Sequence, residues 1–151
     1  MKEQLEQYLN KITAISDAKV LENTMAELDK IGVDGPIGFY INQDAKNSEV
    51  NALQLWQAGL GLPDREFYFK TDSTSVAIRD AYVKHMAKML VLLGEDSVHA
   101  GAAAKNIMTL ETELAKSHRK IEDLRDPYAN YNKYAVKDLL KLAPENSKTS
   151  L

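Results

Sequence analysis

The sequence predicts a mainly helical domain that carries one β-hairpin. Over most of the chain, apolar residues recur every three or four positions, the spacing that places them on one face of an α-helix. Between residues 33 and 60 this period is replaced by two short strand-like runs separated by turn-forming residues. The fold class therefore rests on long helical patterns interrupted once by a strand–turn–strand pattern.

Two short helices are predicted at the start of the chain. Ser16 or Asp17 can act as the N-cap of the second helix, and Gly32 fits the C′ position that follows its end. The first helix occupies residues 1–15, and its apolar face is formed by Leu5, Leu9, Ile12 and Ile15.

A hairpin is predicted over about residues 37–57. Ile37–Asn42 and Val50–Gln57 have the composition of strands, and residues 44–48, Asp-Ala-Lys-Asn-Ser, have the composition of a turn. This hairpin carries Tyr40 and Trp56, the one tryptophan of the chain. Residues 60–69 then form an irregular, aromatic-rich connector that we expect to pack on the core.

Two long helices are predicted at about residues 73–93 and 97–118. Gly94 is placed to end the first of them. Their N-caps are predicted at Asp72 or Ser73 and at Asp96 or Ser97. The face of the second helix that we expect to point inward contains Ala100, Ala103, Ala104, Ile107, Leu110, Leu114 and Ala115.

The helical pattern breaks at residues 125–127, Arg-Asp-Pro, because proline has no amide hydrogen to donate. The next segment, Tyr128–Tyr134, is predicted as a polar aromatic loop. A short helix is expected at Val136–Leu142, and the polar tail Glu145–Leu151 is expected to fray.

Composition excludes several classes of protein. The 151 residues carry 19 basic and 22 acidic side chains, a net charge of −3, which argues against nucleic acid as a partner. The longest stretch without a charged residue, Val50–Pro63, contains too many polar residues and glycines to be a membrane span. The chain has no cysteine, so disulfides, thiolate catalysis and cysteine-based zinc sites are excluded.

The three histidines do not predict a metal site. They stand at positions 85, 99 and 118, so no two of them have the i, i+4 spacing with which one helix face holds zinc. We interpret His85, His99 and His118 as satisfied surface or boundary side chains. No glycine-rich phosphate loop or serine nucleophile motif is present either.

Glu111 is the most informative carboxylate. It lies on or beside the apolar face of its helix, four residues after Ile107, and a charge placed there needs a partner. It could act as a general acid or base, but we favour a structural ion pair or cap, with Arg79 or Arg125 as partner. We also predict structural roles for Trp56 and Tyr68.

Six aromatic residues admit two interpretations. They could line a peptide or sugar cleft, or they could pack between helices, which is the simpler account. These residues are Phe67, Tyr68, Phe69, Tyr128, Tyr131 and Tyr134.

Four segments resemble the neprilysin family of zinc metallopeptidases, which includes neprilysin, endothelin-converting enzyme and bacterial oligopeptidases. Residues 60–68, Leu-Gly-Leu-Pro-Asp-Arg-Glu-Phe-Tyr, are similar to the family segment L-G-L-P-x-R-x-Y-Y. In the same order, residues 44–48 resemble its D-x-K-N-S hairpin, residues 110–115 its L-E-x-x-L-A helix, and residues 125–132 its R-D-P…Y-N connection. Together these segments cover about residues 30–142.

The resemblance implies a fragment of the non-catalytic N-terminal region of such an enzyme, a helical cap domain over the catalytic domain. In this family the two parts enclose a chamber that admits peptides and excludes folded proteins. The H-E-x-x-H helix that supplies two zinc ligands and the general base is not found in this sequence. The resemblance therefore implies no catalytic or metal residue and no cofactor in this segment, with zinc in the parent enzyme.

The partners implied by the resemblance are the catalytic domain of the same parent chain and the peptide substrates of the parent. A periplasmic or extracellular location is expected for that parent. Two other hypotheses remain open: a stand-alone helical module that binds proteins or peptides without catalysis, and an independent enzyme with a site around Glu111 and the tyrosines.

Overall fold

The structure, a computed structural model, describes the backbone of residues 2–142 and the side chains of residues 5–139. Helices make up 58% of the chain and accompany a two-stranded antiparallel hairpin, which confirms the predicted fold class. The chain divides into two compact units between Lys120 and Ile121. Among the described residues, no helix combines the length and the apolar character needed to cross a membrane.

Helices α1 (Lys2–Thr13) and α2 (Ala18–Asp29) form the start of the first unit. The predicted N-cap of α2 is confirmed at Asp17, whose carboxylate accepts a hydrogen bond from the backbone N–H of Val20 at 2.9 Å. This bond satisfies one of the amide groups that the first turn of a helix leaves without a partner.

The predicted end of α2 is confirmed at Gly32. The N–H of Val33 donates to the carbonyl of Leu28 at 3.1 Å, and the N–H of Gly32 donates to that of Asp29 at 3.0 Å. These are the two bonds of a Schellman motif, which requires a left-handed residue at C′. Gly32 has a φ of 83°, a conformation that glycine adopts without steric cost.

The hairpin consists of β1 (Ile37–Asp44) and β2 (Asn47–Gln57), with Phe39 opposite Leu55. Both strands run closer to the turn than the predicted 37–42 and 50–57. The prediction was wrong here because polar side chains mark a turn by composition, whereas the backbone ladder continues to a two-residue loop at 45–46. The register shifts between Gln43, which pairs with Asn51, and Asp44, which pairs with Asn47.

The connector packs on the core, as predicted, and contains one short helix, α3 (Glu66–Phe69). Leu62 and Tyr68 of the connector are buried together with Ala115. The partly buried residues around them are Leu60, Phe67, Phe69, Ile78, Tyr82 and Met108. The connector therefore supplies the centre of this core as well as its aromatic rim.

The two long helices are α4 (Ser73–Leu93) and α5 (Ser97–Ser117), close to the predicted bounds. Their N-caps are confirmed at Asp72 and Asp96, and both side chains accept hydrogen bonds from backbone amides of the first turn. Gly94 ends α4 in the left-handed conformation, with a φ of 111°.

The predicted inward face of α5 is wrong at Leu110, whose side chain is 70% exposed. The fully buried positions of α5 are Ala100, Ala104 and Ala115. Six residues separate Leu110 from Ala104, so the two side chains point about 120° apart around the helix axis. The apolar residues of α5 cover a wider arc of the helix surface than the part that is buried.

In the second unit, a 3₁₀ turn at Asp123–Arg125 leads into α6 (Pro127–Asn130) and α7 (Val136–Leu142). Helix α7 has the predicted bounds. The predicted loop at Tyr128–Tyr134 is wrong over its first residues, because Asp126 caps a helical turn there and Pro127 occupies its first position. The predicted fraying of residues 145–151 lies outside the described residues.

Candidate functional site

Glu111 lies at the centre of a hydrogen-bonded cluster that joins the connector to α4 and α5. Its Oε2 accepts from the Tyr68 hydroxyl at 2.5 Å and from the backbone N–H of Gly61 at 3.3 Å. Its Oε1 accepts from the Tyr82 hydroxyl at 2.9 Å. We call Glu111, Tyr68, Tyr82 and Gly61 the Glu111 cluster.

The connector approaches Glu111 closely because residue 61 is glycine. A Cβ at this position would lie 1.8 Å from the Tyr82 hydroxyl oxygen, so any side chain would displace that tyrosine. The next residue, Leu62, donates its backbone N–H to the Tyr68 hydroxyl at 3.1 Å. Tyr68 thus accepts from the connector backbone and donates to Glu111.

The two tyrosines of the cluster stay protonated over a wide pH range. Burial, followed by the hydrogen bond to Glu111, raises the pKa of Tyr82 to about 12. The same two causes raise the pKa of Tyr68 further. Both hydroxyls therefore act as hydrogen-bond donors to the carboxylate at neutral pH.

The partners that we expected for Glu111 are replaced by other groups. Arg79 donates instead to the backbone carbonyls of Phe67 and Lys70, at 2.7 and 2.8 Å. Arg125 belongs to the second unit, where it ends the 3₁₀ turn. Sequence reasoning missed the tyrosine partners because they meet Glu111 only once the connector has folded against α4 and α5.

The chemistry available to this cluster is that of a hydrogen-bond hub. An ionised carboxylate has about four lone-pair sites, and three donors already engage those of Glu111. A general base needs a free site directed at a substrate proton. The contacts of Glu111 are instead directed at Gly61 and Tyr68 of the connector and at Tyr82 of α4.

The three histidines differ in their exposure and in their contacts. His85 and His99 are exposed, and His99 contacts its helix N-cap, Asp96. The prediction of a satisfied histidine is wrong for His118, which is 9% exposed and whose Nε2 has no hydrogen-bond partner in the described part of the chain. Among the side chains of residues 5–139, no three histidine, aspartate or glutamate groups come together as a metal-binding group.

The candidate aromatic residues divide between the two units. Phe67, Tyr68 and Phe69 pack in the core of the first unit, and the Arg65 guanidinium lies 5.1 Å from the ring centre of Phe69. In the second unit, Tyr128 is 84% exposed and Tyr134 is also exposed. The positions of Phe67, Tyr68 and Phe69 in this core agree with the interpretation that these aromatic residues pack between helices.

The hairpin carries Tyr40 and Trp56 as a tilted aromatic pair, with ring centres 4.8 Å apart and planes at 48°. The Trp56 indole lies over Gly38, where a Cβ would approach Nε1 to 2.2 Å. Beside this pair the structure contains a cavity of about 220 Å³ that sequence reasoning missed. Its lining residues are Asp29, Asp34, Ile37, Gly38, Phe39 and Trp56.

Comparison with known proteins agrees with this architecture. Residues 2–150 match the family described as Peptidase family M13. The chain belongs to this family. The match and the relatives below place it in the N-terminal region of the neprilysin-like M13 peptidases, which confirms the resemblance of the four motifs.

Two relatives show how much of a family member the chain covers. It is 33% identical to neprilysin-3 of Drosophila melanogaster over 107 residues, and 37% identical to endothelin-converting enzyme 1 of Rattus norvegicus over 109 residues. These alignments include 71% and 70% of this chain. The chain spans only 14% of the length of either relative.

Two solved structures share the fold. The zinc metalloprotease Zmp1 of Mycobacterium tuberculosis superposes with a TM-score of 0.85 at 33% identity, over 92% of this chain and 21% of that one. PepO from Lactobacillus rhamnosis superposes with a TM-score of 0.80 at 21% identity, over 95% of this chain and 23% of that one. The second likeness is one of fold alone.

Proposed function

We propose that this chain is the non-catalytic helical part of a neprilysin-like zinc metalloendopeptidase that hydrolyses peptides. In this proposal it contributes the cap that limits access to the active-site chamber. The observation that carries the proposal is the superposition on Zmp1, a zinc metalloprotease, in which nearly all of this chain matches about one fifth of the other. Membership of Peptidase family M13 supports the same reaction class.

Zinc, in this proposal, belongs to the catalytic domain of the parent chain. The described residues offer no group of three side chains that would hold it, so we assign no ligand here. In peptidases of this class the metal polarises the scissile carbonyl and activates a water molecule. The residues of this chain contribute rigidity and shape, which decide what reaches that metal.

The Glu111 cluster gives the proposed cap its rigidity. Three hydrogen bonds fix the connector against α4 and α5, so the wall built from these elements keeps one shape. A chamber that selects peptides by size needs such a wall, because a flexible one would admit larger substrates. On this basis we propose structural roles for Glu111 and Tyr68.

We propose two further structural residues. Trp56 holds the open end of the hairpin through its contacts with Tyr40 and Gly38. Arg125 is proposed for the second unit, where it ends the 3₁₀ turn directly before the helix cap Asp126.

The proposal is tested by comparing this chain with the polypeptide encoded by the complete reading frame of its gene. We expect the longer polypeptide to bind zinc stoichiometrically and to cleave fluorogenic peptides in a chelator-sensitive manner. We expect it to leave folded proteins of similar composition uncleaved, and the isolated chain to show neither activity. Stoichiometric zinc or chelator-sensitive cleavage with the isolated chain would contradict the proposal.

The alternative is a stand-alone helical module that binds proteins or peptides without catalysis. The exposed apolar residues of the hairpin favour it, since solvent-facing apolar patches commonly mark interaction sites. The reading frame separates the two functions. A downstream H-E-x-x-H motif supports the peptidase, and a frame that stops near residue 151 supports the module.

A further inference from the structure

One face of the hairpin is apolar and exposed to solvent. Residues two apart on a strand share a face, and the register places Phe39 opposite Leu55 and Ile41 opposite Leu53. Each side chain on this face is more than half exposed, up to 73% at Ile41. We call these residues the apolar face: Ile37, Phe39, Ile41, Leu53 and Leu55.

The apolar face continues into the cavity beside Trp56. Ile37 and Phe39 belong to both, so the apolar face reaches the cavity at the start of β1, whereas Gly38 and Trp56 line the cavity from the other face of the hairpin. Asp29 and Asp34 also line the cavity. An apolar surface thus ends in an acidic recess.

The two carboxylates of the recess have no paired cation among the described residues, and the exposed Lys30 that follows Asp29 at the C-cap of α2 forms no ion pair with either. Neither Asp29 nor Asp34 forms an ion pair or side-chain hydrogen bond within that part of the chain. Asp29 also lies in the last turn of α2, which contains no basic residue. The carbonyl end of a helix carries partial negative charge and favours a cation, which adds to the attraction that the two carboxylates exert on one.

We infer that the apolar face and the acidic recess together form a docking surface for another segment of the full-length peptidase polypeptide. The segment lays apolar side chains on the face and places one arginine or lysine in the recess. The inference rests on the proposed function, in which this chain is one part of a longer one. The negatively charged carboxylates of the recess favour a positively charged side chain in the docked segment. The aromatic rings of Trp56 and Phe39, which also line the cavity, favour such a side chain further through cation–π contact.

A second copy of this chain fits the surface less well. In a symmetric dimer the same patch contributes from both subunits. Two copies would therefore bring four carboxylates to the contact without any lysine or arginine from the recess or the apolar face. A cation-bearing segment balances this charge, whereas a second copy doubles it.

The test uses the absence of cysteine from this chain. Ile41→Cys places a single thiol on the apolar face, and its rate of reaction with a maleimide is measured by mass spectrometry in the isolated chain and in the full-length polypeptide. We expect labelling at least about tenfold slower in the full-length polypeptide, because a docked segment must open before the reagent enters. Equal rates in the two would overturn the inference.

A second arm tests the cation. In the full-length polypeptide with Ile41→Cys, the pair Asp29→Asn and Asp34→Asn is expected to restore part of the labelling rate. The matched control pair, Asp80→Asn and Glu95→Gln, removes two exposed carboxylates elsewhere and should leave the rate unchanged. Equal effects of the two pairs would show that no cation is recognised in the recess.

The remaining outcomes separate this inference from the proposed function. Protection that develops in the isolated chain as its concentration rises would identify a second copy as the occupant and overturn the inference. Zinc-dependent peptide cleavage by a full-length Ile41→Cys polypeptide whose introduced thiol reacts freely would leave the proposed function intact and remove only the docking surface. A reading frame limited to these 151 residues would overturn both.

Discussion

Gln57 and Arg119, 62 positions apart, exchange two hydrogen bonds through one side-chain amide. The Nε2 of Gln57 donates to the Arg119 carbonyl at 3.0 Å, and the Arg119 N–H donates to Oε1 at 2.8 Å. The last residue of β2 is thereby tied to the backbone just beyond α5. A side-chain amide can do this because it carries both a donor and an acceptor, like a backbone peptide group.

Replacing Gln57 with alanine should weaken this connection measurably. We expect Gln57→Ala to lower the free energy of unfolding by about 1–2 kcal/mol, because each hydrogen bond contributes about 0.5–1.5 kcal/mol. Gln57→Glu keeps an acceptor for the Arg119 N–H but sets a carboxylate oxygen against the Arg119 carbonyl oxygen, so it should also be less stable than the parent chain. Urea unfolding measures both, with Gln54→Ala of the same strand as the control. An equal loss at positions 54 and 57 would contradict the assignment.

Replacing Glu111 tests the cluster around it. Glu111→Ala leaves the buried Tyr68 hydroxyl and the Gly61 amide without their acceptor, so we expect a loss of about 3 kcal/mol in stability. Glu111→Gln keeps one oxygen acceptor and should lose about half as much. The readout is the thermal melting temperature of the first unit.

The control for Glu111 is its neighbour on the same helix. Glu113 forms an exposed ion pair with Lys116, and both side chains are more than half exposed. Glu113→Ala should therefore change the melting temperature little, since exposed ion pairs contribute little to stability. A melting curve unchanged by Glu111→Ala would refute the structural role of Glu111.

Local signals explain which parts of the fold the sequence could predict. Asp17, Asp72 and Asp96 were recognised as caps or cap candidates because a cap bonds to amides only two or three residues away. Gly32 and Gly94 were recognised at the helix ends because glycine adopts the left-handed conformation that a residue following a helix often needs. Such information lies entirely within one short stretch of sequence.

The partners of Glu111 are not local, and the sequence did not predict them. Tyr68 and Gly61 lie 43 and 50 positions away, and only the folded connector brings them to the carboxylate. The exposure of Leu110 was missed for a related reason, because the width of a buried face depends on what covers it. Asp29 offered a usable signal, since an acid in the last turn of a helix is unfavourable without a cation.

Stability should fall at high pH through the tyrosines of the Glu111 cluster. Unfolded tyrosine has a pKa near 10, whereas the folded state raises the pKa of Tyr82 to about 12 and that of Tyr68 further. The folded state thus holds these protons more tightly. Their contribution is complete below about pH 10 and is lost as pH rises through 10 to 12 and beyond.

The pH prediction is measured as the urea midpoint between about pH 8 and pH 12, the range that brackets the unfolded tyrosine pKa. The variant that combines Tyr68→Phe with Tyr82→Phe serves as the control, because it keeps the rings and removes both titrating hydroxyls. Its stability at neutral pH should be lower, and its decline above about pH 10 should be shallower. Parallel declines for the two proteins would rule out the cluster as the source.

Adding a single methyl group at Gly38 should disturb the packing of the hairpin. A Cβ there would lie 2.2 Å from Nε1 of Trp56, so Gly38→Ala must displace the indole. We expect a loss of about 1–3 kcal/mol from this overpacking. Because Trp56 is the only tryptophan of the chain, a shift in its fluorescence emission reports the displacement directly.

Gly101→Ala is the matched control, since it makes the same chemical change inside α5. Among the described residues, no atom beyond its two chain neighbours and the adjoining backbone of α5 lies within 4 Å of a Cβ built at Gly101. Alanine removes the entropic cost of glycine in a helix, so this variant should gain about 0.5–1 kcal/mol. Its tryptophan emission should stay unchanged. If Gly38→Ala stabilises the protein as Gly101→Ala does, the indole does not lie over Gly38 in solution, and the cavity that Trp56 lines has a different shape.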